Sequence, residues 1–312
     1  MLPEIELIPE TEVSNNTPEK NYEECLVDLD KPLKPLDIMV YYGRDDRGQR
    51  VGAMTRGEFS CIVAKSKTKK SFNKTLIEAA FIGGKSNNYS DLIVGNRKKD
   101  NYIISIDTEQ GEYYAQKSFG RVERITGERY QKYKPLQMRR KSIKDRLEMI
   151  EWLIYESEFS GKIDFLVIDG IADLVNNTND IEEGVKIGER LLKWSGEGDL
   201  HILTIIHKVG GSDKARGHLG TAIQIKAETI ISMDSLTDAQ NNITDFNTVM
   251  IRCGMSRGKS FEPFFLTVDN DGLPFTHTDP NVKEHPSAIY EVPMGTPETA
   301  FSNTEVNDEV PF

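Results

Sequence analysis

With 312 residues, 38% of them hydrophobic and 29% charged, the chain is long enough for one large domain with flanking tails. It contains no apolar run of ~18 residues, which excludes a transmembrane helix, and the acidic start MLPEIELIPE argues against a secretory signal. Cys25, Cys61 and Cys253 are far apart and in no CxxC spacing, and the five histidines are scattered; a disulfide framework or zinc cluster is not expected, and a reducing, cytoplasmic setting is.

The net charge of -11 is carried by the ends. Residues 1–35 hold 9 acids and 3 bases, and residues 279–312 hold 7 acids and 1 base, so the middle is nearly neutral. The N-terminal segment, rich in Glu, Pro and Asn, reads as a flexible acidic arm, and residues 279–312 as a disordered acidic tail. Between them, residues 36–278 read as one domain. Residues 121–146 carry ten Lys/Arg against three acids. Such a stretch either attracts phosphate backbones, with Tyr130 and Tyr133 stacking on bases, or forms a solvated face; Arg139 and Arg140 are its candidate contacts.

In chain order the domain alternates strand and helix. Phe59–Ala64 predicts a buried strand, and 69–82 a helix with Phe72, Leu76, Ala79 and Ala80 on one side. A strand follows at Tyr102–Ile106, then an amphipathic helix at 143–155 burying Leu147, Ile150, Leu153 and Ile154. Next come a strand at 165–168, a helix at 181–194 and strands at 202–206 and 229–233. Two further β runs, near 248–251 and 264–268, are joined by a short Gly-containing turn. Apolar strands without alternation, separated by helices, predict an α/β fold with a largely parallel sheet covered on both faces and an antiparallel C-terminal edge.

Four segments could meet at one nucleotide site. Ala64-Lys65-Ser66-Lys67-Thr68-Lys69-Lys70-Ser71 lies between strand and helix and matches the phosphate-loop pattern at Lys70 and Ser71, while Ala64 and Lys69 replace its glycines. Such a loop aims backbone N–H groups and a helix N-terminus at phosphates; Lys70 would pair with the β/γ-phosphates and Ser71 would ligate Mg²⁺. Asp169, ending an apolar strand, suits a carboxylate beside that metal, or a capped turn. Glu109, just past another strand end, could activate a water, or sit in a surface turn. His207 closes a fourth strand and could sense the γ-phosphate, or be structural; the loop Ala215-Arg216-Gly217-His218-Leu219-Gly220-Thr221 follows it.

Taken in this order, the segments resemble RecA-type P-loop ATPases, and within them the branch of DnaB-type helicases, RepA-type plasmid helicases and KaiC-type ATPases. The chain is most similar to RecA-like ATPases of Bacteroidetes mobile elements and phages, a group that also carries Lys at the second loop glycine. The resemblance rests on 55–60, 64–72, 107–110, 167–175 and 215–221 and spans about 36–278. It implies a RecA-like core that binds ATP and Mg²⁺ through 64–72, with Glu109 as base, Asp169 as metal-side acid and His207 as polar relay. Arg257, with Arg252 as alternative, matches an arginine finger reaching into a neighbouring subunit, which implies a ring or filament on DNA, with single-stranded DNA the expected form. The ending Asn307-Asp308-Glu309-Val310-Pro311-Phe312 resembles the acidic tip of single-stranded-DNA-binding proteins, and Phe312 could dock in a replication protein. The expected function is ATP-driven DNA handling in replication or mobilisation, helicase-like or loader-like. The alternative is a nucleotide-binding regulatory or scaffold module.

Overall fold

Hydrophobic runs that lack alternation become strands buried on both faces. In the computed structural model, β3 (Phe59–Ala64) and β7 (Ile163–Asp169) are buried at every position. The structure describes residues 22–23, 25–208, 215, 217–283 and 285. The chain divides after Leu36 into two units. In the first, residues 26–36 carry no helix or strand, and Leu26, Val27, Leu29, Leu33 and Leu36 are exposed.

The second unit opens with β1 (Ile38–Arg44) and β2 (Arg50–Thr55), then β3 and α1 (Lys70–Ile82). A short β4 (Ile93–Gly95) pairs with β1, giving a small antiparallel sheet of order β2-β1-β4. The chain continues through β5 (Tyr102–Asp107), α2 (Glu112–Thr126), β6 (Tyr133–Gln137), α3 (Ile143–Tyr155) and β7. Then come α4 (Ile181–Glu197), β8 (His201–His207), α5 (Gly217–Lys226), β9 (Thr229–Thr237), β10 (Ile243–Ser256), β11 (Phe264–Val268) and β12 (Pro274–His277). Among the described residues the large sheet has nine strands in the order β12-β11-β10-β9-β3-β8-β7-β5-β6. Pairing is parallel from β9 to β6 and antiparallel from β9 to β12. The fold is therefore α/β, with a mostly parallel sheet, covering helices and an antiparallel edge.

Two apolar cores cover the two faces of the large sheet. One joins Leu76, Ile77 and Phe81 of α1 with Phe119 and Val122 of α2; the other joins Ile150 of α3, Leu191 and Trp194 of α4 and Ile223 of α5. Chain segments leaving β3 and β8 thus head for opposite faces. Carboxyl ends that part in this way form a switch point, where ligands of open α/β sheets bind.

Helix ends differ in a way that matters there. Helix α3 starts with a capping box between Ser142 and Asp145, and α4 starts with Asp180 accepting from the Glu183 N–H. Helix α1 has no side-chain cap and no acid in its first turn. Its first N–H groups therefore keep their positive potential.

At the opposite, amino edge, Arg56 is clamped by Asp37 (2.8 Å) and by the buried Asp164 (2.7 Å), and it also donates to the Asp199 carbonyl. Glu228 accepts from both the N–H and the hydroxyl of Thr55.

The basic stretch 121–146 is not one solvated face. Arg121 is buried, its guanidinium 3.9 Å from the Phe72 ring centroid, and it donates to the Gly272 carbonyl. Arg146 is buried and donates to three carbonyls, of Met138, Arg139 and Asp173. Tyr133 cannot stack on a base: it is buried, and its hydroxyl donates to Glu78. Tyr130 is engaged by Asp100 and lies under Arg97. Arg139 and Arg140 are exposed just beyond the carboxyl end of β6. Among the described residues no helix is long and apolar enough to cross a membrane.

Candidate active site

Parallel register brings the candidate residues to one edge. Ala64 pairs with His207, and Asp107 pairs with Asp169, which in turn stands opposite Ile205. The carboxyl ends of β3, β8, β7 and β5 are therefore neighbours in that order.

The segment 65–69 turns from β3 into α1. Lys67 and Lys69 both take positive φ, 63° and 60°, where side chains are disfavoured and glycine is at ease. Lys69 is itself the N-cap of α1. A backbone conformation that favours glycine is thus adopted by two lysines, one of them, Lys69, at a position where the phosphate-loop pattern has glycine. The Lys65 carbonyl closes the turn by accepting from the Thr68 hydroxyl (2.7 Å) and the Lys70 ammonium (2.9 Å). Lys65, Ser66 and Lys67 are exposed. Burial pulls the Lys70 pKa down, against the charges of Glu109 and Asp169. Phe72 packs into the core beneath Arg121, so its ring faces away from any phosphate and only its backbone could serve one.

His207 links the loop to Glu109. Its Nδ1 lies 3.3 Å from Lys70 Nζ and 3.5 Å from Ser66 Oγ. An ammonium can only donate, so Nδ1 accepts and the ring proton sits on Nε2. That nitrogen is 3.4 Å from Glu109 Oε1. The contact with His207, above all, holds the Glu109 pKa below the usual carboxylate value, and Lys70 and Lys74 add to the effect.

Deeper in, the sequence reading missed a residue. Lys74 is fully buried, and its ammonium lies 3.0 Å from Asp169 Oδ2. Burial opposes its charge, yet Asp169, Glu78 and Asp107 together raise its pKa. The signal was legible in principle, because Lys70, Lys74 and Glu78 form a polar stripe at four-residue spacing inside an apolar helix. Burial raises the pKa of both Glu78 and Asp107. Asp107 Oδ1 accepts the N–H groups of Glu109 and Gln110, which fixes the turn carrying Glu109; its Oδ2 is buried without a hydrogen bond.

Gly170 supports the same edge. Its φ is +105°, and a Cβ there would stand 2.1 Å from Thr108 Oγ1. That hydroxyl contacts the Asp169 and Gly170 carbonyls and Asp173 Oδ2, stitching the end of β5 to the end of β7.

The structure does not bring Arg257 to this group. Arg257 lies past the amino edge, pairs with both oxygens of Glu58 (3.1 and 3.2 Å) and donates to the Lys226 carbonyl. Strand β3 alone separates it from the loop by about 17 Å. Arg252 pairs with Asp234, which also binds Lys208. Arg216 and Phe312 lie outside the described residues.

Among the described residues no three His, Cys, Asp or Glu side chains gather as a metal cluster. Magnesium needs no such cage where phosphates and water complete its shell, yet Asp169, the carboxylate expected to hold it with Ser71, already faces the buried Lys74 ammonium at 3.0 Å and fits a cation poorly. Two concavities, about 660 Å³ between α2 and β6 and about 360 Å³ beside Thr221, Arg252 and Met255, are not lined by Lys70, Glu109 or Asp169. Charge and strand-end geometry, rather than depth, therefore distinguish this edge. No protein-family model matches the chain, and no curated protein matches it either.

Proposed function

We propose that the chain is a RecA-like P-loop ATPase that binds ATP at Ala64–Ser71 and acts on DNA, in replication or mobilisation of a phage or mobile element. One observation carries this reading. A loop in glycine-like conformation leads into an uncapped helix whose first lysine reaches, through His207, the Glu109 carboxylate just past the end of β5, two strands from β8. Five lysines, at 65, 67, 69, 70 and 74, lie within ten residues of that helix start. An anion of high charge is the matching ligand.

The residues divide the work. Backbone N–H groups of the loop and first helical turn cradle the phosphates, and Lys70 leaves the Lys65 carbonyl to pair with them. Magnesium arriving with the phosphates would meet the Ser71 hydroxyl and would add neutralising charge to the phosphate oxygens, while Asp169 stays paired with Lys74. Glu109, ionised at neutral pH, orients a water and accepts its proton. His207 Nε2, 3.4 Å from Glu109 Oε1, faces that carboxylate and can sense the phosphate by exchanging that contact. Arg257 is paired with Glu58 and lies far from its own loop, so as a finger it would leave that pair for the loop of a neighbouring copy in the proposed ring or filament. Arg139 and Arg140 are exposed on the loop edge and suit a single-stranded DNA backbone, and Arg216 and Phe312 carry the DNA-loop and partner-docking parts of the proposal.

An ATPase assay with and without single-stranded DNA, together with a mass measurement of the assembly, tests this. Turnover stimulated by DNA is expected, and Glu109→Gln is expected to lose about 10²–10⁴-fold in turnover while still binding ATP. Unchanged turnover in that variant would remove Glu109 from its role. A second reading, a regulatory module that holds ATP and turns over slowly, is favoured by the ties on Glu109 and Asp169; binding without turnover would support it.

A further inference from the structure

The proposed ATPase chemistry leaves Lys74 without work. It rises from α1 one turn beyond Lys70, is fully buried, and places its ammonium 3.0 Å from Asp169 Oδ2. Asp107 stands beside Asp169 in the sheet register, and Glu78 lies one turn further along α1. The Phe119 ring closes the far side, its centroid 5.1 Å from the ammonium. The ammonium of Lys70 is committed elsewhere, to Lys65 O and His207. Neither Lys74 Nζ nor Asp169 Oδ2 has an aligned hydrogen bond, so charge rather than hydrogen-bond geometry holds the pair.

A cation held by Asp169 would sit within a few ångströms of that ammonium. Like charges so close, in a buried setting, repel strongly. Displacing Lys74 instead would leave Asp107 and Glu78 without their counter-charge, which is costly in the interior. We propose that Lys74 is a resident counter-ion of Asp169, a positioning residue that supplies much of the charge magnesium would bring and lets the triphosphate bind almost independently of the metal. The inference rests on the phosphate-loop reading above. A lysine that merely neutralised buried acids would leave the metal response of nucleotide binding untouched.

Calorimetric titration of the full chain with ATP, in excess magnesium and then in excess EDTA, decides the matter. For the wild type the Kd is expected to change by less than about threefold between the two buffers. Lys74→Met is expected to become metal-dependent, binding at least about tenfold more weakly in EDTA, whereas Lys74→Arg should keep the wild-type response. If Lys74→Met does not fold, the wild type and Lys74→Arg still decide. A wild type that loses tenfold or more in EDTA, or a folded Lys74→Met that responds as the wild type does, overturns the proposal. Absence of binding in both buffers overturns the phosphate-loop reading itself, and the two failures are thereby distinguished.

Discussion

Lys67 and Lys69 hold their backbones in the left-handed region, at a cost of about 1–2 kcal/mol each for a residue with a Cβ. Nothing in the packing of a surface turn requires lysine there. Lysine instead trades backbone ease for charge at the mouth of an uncapped helix. Lys69→Gly is expected to raise unfolding stability by about 0.5–1 kcal/mol, the relief of strain less the greater entropy of glycine. Denaturant melts check this, and a loss of stability would show that the Lys69 side chain, over the Phe72 ring at 5.4 Å, matters more than its backbone. At this scale the placement of Lys70, Glu109, Asp169 and His207 along one sheet edge is legible, because strand ends and loop spacing mark it. Lys74 is marked only by its four-residue spacing from Lys70 and Glu78, and an interior lysine reads as a solvated one until its three acidic neighbours, drawn from β5, β7 and its own helix, are in place.

Elements show a similar division. Strands β3, β5, β7, β8, β9, β10 and β11 announced themselves as apolar runs, and α1, α3 and α4 by their period. Strand β6 hid behind Pro135 and Lys134, and α2 behind the charges between Ala115, Phe119, Val122 and Ile125, although these four recur at helical spacing. The basic stretch misled because charge in sequence does not reveal which guanidinium is turned inward; Arg121 and Arg146 are spent on carbonyls. Strand β8 carries its own pH sensor. His201 is fully buried, its Nδ1 donates to the Thr55 carbonyl at 2.7 Å, and its Nε2 has no hydrogen bond. Burial lowers its pKa from 6.5 to about 4. The folded state therefore refuses a proton that the unfolded state accepts. The His201 contribution is fully present above pH 6.5 and is lost as the pH falls towards 4, at about 1.4 kcal/mol per unit. Burial raises the Glu78 and Asp107 pKa values, and these acids act in the opposite sense, so a difference between variants is the clean readout. In paired melts from pH 7 to pH 4, His201→Phe should lose less stability than the wild type; equal slopes would contradict the assignment.

Across the whole molecule, the sheet order places one polar strand end, that of β8, between the lysine loop and the acid of β7. The two helical layers separate at that point, where the lysine loop, His207 and Asp169 meet. The amino edge is tied by Arg56 with Asp37 and Asp164 and by Glu228 with Thr55, whereas the carboxyl edge carries the exposed lysine loop. The most direct measurement of the central claim is an equilibrium titration of the wild type and Lys70→Ala with ATP. The account requires saturable binding by the wild type and its loss in the variant, with both proteins melting alike. Equal affinity in the two, or no binding by a folded wild type, would contradict it.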